Sequence, residues 1–266
     1  MLLRGPLAQI RQKQRSVRKE LKEVREEISR LRKDIEGLRK GSRIFDVPEK
    51  FNKNSPNVVA MGTPAETGAM LIEYMCHRLG CADLGNLDVL DFGCGCRFAD
   101  AIVNKKLAIG SYTGIDIDRE MIEFLSRSVS NPNMRFYHWN VRNPGYNPDG
   151  EPLTDNRPLP IDEQTFDLIC MFSVITHQVP EDAENIFRIL RRHIRPGGRL
   201  FFSANIQEMD DDYRELEPDR PTAHSAYSAA FLKSLLNKSG WKVLTLEGKS
   251  PPGQTPIQDS LLCEPV

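Results

Sequence analysis

The residues best suited to chemistry in this 266-residue chain are acids and glycines that follow short apolar runs. Val89-Leu90-Asp91-Phe92-Gly93-Cys94-Gly95-Cys96-Arg97-Phe98 is an apolar stretch that meets an acid and then a Gly-x-Gly turn. Glycines there permit backbone angles and a closeness of approach that side chains forbid. A helix beginning at the turn would offer free N–H groups. A dinucleotide fingerprint would need a third glycine, and Phe98 stands in its place. Asp91, just before the turn, suits a cationic or amino-bearing ligand better than a pyrophosphate. The next apolar run ends in Gly114-Ile115-Asp116-Ile117-Asp118, so Asp116 comes 23 residues after Gly93. A carboxylate at the end of a second strand can accept both hydroxyls of a ribose. Asp118 is expected to cap the following helix.

These residues need a scaffold, and the pattern from residue 64 onward supplies one. Thr63-Pro64-Ala65-Glu66 reads as a helix start, with Thr63 as N-cap and Pro64 in the first turn. Apolar runs follow at Asp88–Phe92, Ser111–Ile117, Met134–Trp139, Phe166–Phe172, Arg199–Ser203 and Trp241–Leu246. Helix-length segments near 97–108, 118–129, 181–194 and 227–239 separate most of them. Strands alternating with helices predict an α/β domain, a mostly parallel sheet covered on both faces. Pro196-Gly197-Gly198 is expected to stop a helix after Arg195, and Pro256–Cys263 to form a last strand antiparallel to 241–246. Residues 143–160 and 205–226 read as loop insertions, the second carrying Asp210-Asp211-Asp212. That triplet reads as a solvated loop, Cys94 and Cys96 as small packed residues, and no metal is assigned.

The first forty residues are a different object. Leu7, Ile10, Val17, Leu21, Val24, Ile28, Leu31, Ile35 and Leu38 recur in steps of three and four, with Gln14 the one polar interruption. With Leu21, Ile28 and Ile35 at a and Val24, Leu31 and Leu38 at d, Glu20, Glu27 and Asp34 fall at g and Arg25, Arg32 and Arg39 at e. That pattern predicts a coiled coil over 7–38, favouring a homodimer, with a trimer or hetero-association as alternatives. The division is therefore 1–41 coiled-coil helix, 42–63 linker and 64–266 globular domain. Residues 1–40 carry 13 Lys+Arg against 6 Asp+Glu, which leaves 23 against 31 in the remainder. An acidic domain disfavours a nucleic-acid partner. No apolar run approaches a membrane span, no signal-peptide pattern opens the chain, and six Cys in this length are not a disulfide framework. A cytoplasmic location is the expectation.

Taken in order, VLDFGCG, GIDID, FDLI and RPGGRLF resemble the class I S-adenosylmethionine-dependent methyltransferases over roughly residues 86–247. The resemblance implies a Rossmann-like, seven-stranded sheet and S-adenosylmethionine as cofactor. It also implies that Asp91, Gly93 and Gly95 line the methionine part, that Asp116 holds the ribose, and that Ile117 belongs to the cofactor-binding set. Asn140 and Val141 would read the adenine edge, and Ser173 would lie beside the cofactor at the end of strand four. The family commonly has Asp where this chain has Asn140, whose carbonyl oxygen can also accept from an exocyclic amine. The stretches FYHWNVRNPGYNPDG, SVITHQ, AYSAAFLKSLLNKSGWKV and IQDSLLC resemble a bacterial subgroup that methylates hydroxyls of sugars or glycans. A hydroxyl acceptor needs a base, and His177, following strand four, is the first candidate, with His224 the second. The alternatives are a non-sugar small molecule or lipid acceptor, and a catalytically inactive coiled-coil scaffold.

Overall fold

The computed structural model describes residues 45–53, 55–220, 222–249 and 258–266, together with 17, 21, 22, 24 and 25. The expected coiled coil over 7–38 therefore lies outside the described residues except at those five positions, where Val17, Leu21 and Val24 are helical and exposed. The chain divides into two units, Met1–Asp46 and Val47–Val266, and the second is the α/β body.

Its sheet is built from β1 (Leu84–Phe92), β2 (Ile109–Asp116), β3 (Met134–His138), β4 (Phe166–Met171), β5 (Ile194–Ala204), β8 (Trp241–Glu247) and β9 (Asp259–Pro265). The spatial order is β3-β2-β1-β4-β5-β9-β8. The first five strands are parallel, and β9 runs antiparallel to both of its neighbours. The order reverses between β1 and β4, which opens a crevice at the carboxyl ends of the strands. A separate hairpin, β6 (Tyr213–Glu215) and β7 (Ser225–Tyr227), forms within the acidic insertion.

Among the described residues six α-helices complete the body: α1 (Pro56–Met61), α2 (Pro64–Leu79), α3 (Arg97–Lys105), α4 (Arg119–Ser128), α5 (Pro180–Arg191) and α6 (Ala229–Lys238). α2 starts where the sequence says it should. Thr63 and Glu66 form a reciprocal capping box, and Gly80 closes the helix in the left-handed region. Adjacent residues of β5 show that both sheet faces are covered. Phe201 meets Tyr74 of α2 with ring centroids 6.0 Å apart, whereas Phe202 meets Phe187 of α5 at 5.3 Å. Successive strand side chains point to opposite faces, and each here finds an aromatic partner. Gly68 lets α2 close onto α3, since a Cβ there would stand 2.4 Å from the Arg97 carbonyl oxygen.

Two details differ from the sequence expectation. α5 ends at Arg191, and Pro196-Gly197-Gly198 lies inside β5 rather than ending a helix. The register against β4 slips between Phe166 and Leu168, so this triplet forms an irregularity that begins the strand early. The stretch read as linker also has structure of its own, a 3₁₀ turn at Glu49–Phe51 and helix α1. Phe51 packs on Phe124 of α4 at 5.3 Å.

Candidate active site

The crevice is assembled at the ends of β1 and β2. Gly93 N and Cys94 N both donate to Ile115 O, at 2.8 and 3.0 Å, and Gly95 N donates to Asp116 Oδ2 at 2.9 Å. Three bonds thus clip the glycine turn to the end of the neighbouring strand. Gly93 and Gly95 have φ of +72° and +51°, where side-chain-bearing residues are strained. At Gly93 an added Cβ would lie 2.4 Å from Val174 Cγ2, so the turn is closed on that side by the residue after Ser173. At Gly95 an added Cβ would meet nothing within 4 Å, so this glycine borders open space.

Two carboxylates face the same region. Asp116 accepts Gly95 N on Oδ2 and Asp118 N on Oδ1, which leaves each oxygen a further lone pair. Burial raises its pKa above the ordinary carboxylate value. Asp91 is 3% exposed and accepts the Tyr112 hydroxyl at 2.7 Å. Burial pushes it to about 7, against the opposing hydrogen bond from Tyr112. As expected from sequence, Asp118 caps α4, accepting Met121 N. The arrangement fits a cationic nucleoside. A glycine cradle opens onto free space, one carboxylate retains capacity for two hydroxyls, and a second is poised near neutrality.

The edge assigned to adenine is differently furnished. Val141 N donates to Trp139 O at 2.8 Å. Asn147 Nδ2 donates both to Asn140 Oδ1, at 3.2 Å, and to Val141 O, at 3.0 Å. The loop rests tightly on this edge: a Cβ on Gly150 would lie 2.5 Å from the Val141 carbonyl carbon. Asn140 and Val141 therefore lie just past β3, with the Asn140 oxygen, the Val141 N–H and the Val141 carbonyl each holding one partner nearby. Ile117 is half-buried, and its carbonyl oxygen lies 3.2 Å from His138 Nε2.

The far side of the crevice belongs to β4, β5 and the insertions. Ser173, just past β4, has φ of +57°. Its N–H donates to Ser203 Oγ at 2.9 Å, and both serine hydroxyls donate to Gln258 Oε1, at 3.1 and 2.6 Å. His177 closes a 3₁₀ turn, Ile175–His177. Its Nδ1 lies 3.2 Å from Thr222 O. A carbonyl oxygen only accepts, so in the neutral ring Nδ1 carries the proton and Nε2 is the basic nitrogen. Burial lowers the His177 pKa below 6.5. Its ring lies 5.4 Å from Tyr146 and 5.7 Å from His224, centroid to centroid. The two histidines named from sequence are thus brought together, with the His224 Nδ1 held by the Glu217 carboxylate.

Lys53, Tyr146, Thr222 and Gln258 are additions that sequence reasoning missed. Lys53 donates to Asp118 at 2.6 Å and lies 5.4 Å from the centre of the Tyr146 ring, linking the two sides of the crevice. Tyr146 is 42% exposed within a Pro- and Gly-rich loop, and that exposed aromatic was the one local signal. Thr222 has φ of +62°, and the hydroxyls of Thr176 and Thr222 are buried without a hydrogen-bond partner. Asp211 of the acidic triplet pairs with Arg214. Among the described residues no cluster of three or more His, Cys, Asp or Glu side chains is placed to hold a metal.

Comparison with known proteins follows the same lines. A family model described as a methyltransferase domain matches residues 17–246. The ribosomal protein L11 methyltransferase of Cupriavidus metallidurans is 27% identical over 179 residues, 65% of this chain and 51% of that protein. The chain spans about half the length of the curated relatives it matches. Among solved structures, the glycopeptide N-methyltransferase MtfA complexed with S-adenosylmethionine superposes with a TM-score of 0.52 at 13% identity, covering 75% of this chain and 93% of that one. An S-adenosylmethionine-dependent methyltransferase from Clostridium acetobutylicum gives 0.50 at 17% identity, covering 78% and 94%. These likenesses concern the fold.

Proposed function

The chain belongs to the methyltransferase-domain family, and from that premise we propose that it transfers a methyl group from S-adenosylmethionine to a hydroxyl of a sugar, glycan or glycosylated metabolite. When bound, the cofactor supplies an electrophilic methyl group on a sulfonium. Asp116 accepts the ribose hydroxyls, Gly95 leaves room for the chain carrying sulfur while Gly93 lets the turn close against Val174, and the Asp91 carboxyl faces the cationic end. Ile117, Asn140 and Val141 flank the base, and Ser173 closes the crevice from β4.

The observation that carries the acceptor reading is the Nδ1–H···O bond of His177, which makes Nε2 the basic nitrogen of the neutral ring, in a wall shared with Tyr146 and His224. A hydroxyl is a weak nucleophile while protonated, and a neutral imidazole held in place removes that proton as the oxygen bonds to carbon. Depression of the His177 pKa keeps the ring neutral below the pH at which free imidazole charges. The exposed Tyr146 ring offers an apolar face to the C–H side of a sugar, while the exposed His224 and its partner Glu217 offer polar groups. The heptad pattern of the sequence over 7–38 supports pairing of two copies of the chain, and the location we propose is the cytoplasm.

The test is incubation of the full chain with methyl-tritiated S-adenosylmethionine and a panel of free sugars, nucleotide sugars, glycopeptides and ribosomal protein. Label recovered as a sugar methyl ether is the expected result. Label entering only amines or protein would overturn the acceptor assignment, and failure to bind S-adenosylhomocysteine would overturn the donor assignment.

A further inference from the structure

We propose that the side-chain amide of Gln258 binds the carboxylate at the methionine end of the donor, so that the residue before β9 selects donors with a complete amino-acid tail. The proposal rests on the donor reading given above.

Gln258 stands where β4, β5 and β9 meet at the crevice. It precedes β9, whose first residue, Asp259, pairs with Ala204 at the end of β5. Asp259 fixes the chain there by accepting Ile206 N at 2.9 Å. The Gln258 side chain reaches Ser173, just past β4, and Ser203 of β5. The residue after Ser173 is Val174, which closes against Gly93 in the turn after β1. In the sheet order, β4 and β5 lie on one side of β1, and β2, which ends in Asp116, lies on the other. A nucleoside with its ribose at Asp116 and its sulfur chain over the glycine turn therefore extends towards Gln258.

Donors and acceptors fix which way the amide faces. Ser203 is 3% exposed, and its Oγ accepts Ser173 N at 2.9 Å. Its buried hydroxyl proton still needs an acceptor. Gln258 Oε1 supplies it at 2.6 Å and also accepts the Ser173 hydroxyl at 3.1 Å. With the amide reversed, the Ser203 proton would meet only N–H groups and go unpaired. Both lone pairs of Oε1 are thus used, and Nε2 keeps two N–H donors. That nitrogen has no hydrogen-bond partner among the described residues, although the side chain is half-buried. Ser173 holds φ of +57° while making its part of this clasp. Strain kept in a crevice wall is a mark of functional constraint. Amide N–H groups suit a carboxylate, and hydrogen bonds to a charged acceptor are the stronger kind. The two serines have already ordered the side chain, so binding costs little further freedom.

Two ligands differ only in the group at issue: S-adenosyl-L-homocysteine and its decarboxylated form, which keeps the ammonium and the rest of the molecule. Titration calorimetry on the full chain is expected to show wild type preferring the complete compound by about tenfold or more. Gln258→Glu retains an oxygen for both serine hydroxyls but replaces the N–H donors by negative charge, and should abolish that preference. Gln258→Met removes the donors without adding charge, and should reduce the preference by about tenfold. Wild-type affinities within about threefold of each other overturn the proposal and leave the donor reading intact. So does a preference unchanged in either folded variant, including one in which both affinities fall equally, because that reports a structural role for Gln258. Where one variant fails to fold, the other decides. Binding of neither compound by folded wild type overturns the donor reading, and this proposal falls with it.

Discussion

Replacing Asp91 by Asn should change how stability depends on pH. The wild-type carboxyl is 3% exposed and titrates at about 7, against 3.8 for the same group in solvent. Burial is the main cause, and the Tyr112 hydroxyl opposes it. Because the folded pKa lies above the unfolded one, the folded chain holds this proton more tightly. Stability associated with Asp91 is fully present below about pH 4, declines as pH rises towards 7, and is constant at its lower value beyond that. Between pH 5 and pH 8 the cost of ionising Asp91 grows by roughly 2–3 kcal/mol at about 1.36 kcal/mol per pKa unit. Asn keeps the shape and can still accept from Tyr112, yet it never ionises. Urea unfolding of both proteins at the two pH values, followed by Trp139 and Trp241 fluorescence, gives the comparison. The variant should gain roughly 2–3 kcal/mol relative to wild type on moving from pH 5 to pH 8, other titrations cancelling in the difference. A difference that stays constant with pH would refute the assignment of a near-neutral pKa to this carboxyl.

Other perturbations test the rest of the site and its scaffold. His177→Gln is predicted to lower kcat by about 10²–10⁴-fold while leaving the affinity for S-adenosylhomocysteine within about twofold; loss of cofactor affinity instead would place His177 outside the acceptor side. The acidic limb of the wild-type kcat/KM profile should fall below pH 6.5, following the depressed His177 pKa, and a limb well above that value would exclude this group as base. Asp116→Ala removes the acceptor of Gly95 N and, on the proposed donor reading, that of the ribose hydroxyls, so calorimetry should show S-adenosylhomocysteine binding weakened by about 10²-fold, since bonds to charged groups contribute about 1.5–3 kcal/mol each. Thr63→Ala breaks the capping box of α2 and should cost about 0.5–2 kcal/mol in urea unfolding; an unchanged midpoint would show the cap to be dispensable.

Much of the scaffold was legible because its signals are local. Strands buried on both faces read as apolar runs, and a Thr-Pro-x-Glu helix start can be recognised within four residues. Pro196-Gly197-Gly198 misled because the same residues that stop a helix also make a strand irregularity, and only pairing with β4 distinguishes them. Helix α1 was missed because Pro and Asn in a six-residue element look like a linker. Within the site, the glycine turn and Asp116 were legible because they end successive strands. The meeting of His177 with His224 was not, since it depends on where the 205–226 insertion folds back. Lys53 carried no local signal, because its partners Asp118 and Tyr146 lie far along the chain. The engagement of Asn140 by Asn147 is likewise a property of a loop closing on itself, for which residue type alone allows several outcomes.

The placement of β9 between β5 and β8 has a consequence for biosynthesis. β8 leaves the ribosome before the strand that joins it to the rest of the sheet. Until β9 follows, β8 has no backbone partner among the described strands, and Trp241, buried in the finished fold, has only the packing that α5 and α6 supply. The nascent chain therefore carries an unzipped strand next to an exposed β5 margin, an arrangement prone to mispairing with neighbouring polypeptides. Completion of this half of the domain is a late, long-range event, and chaperone protection would matter most during that interval.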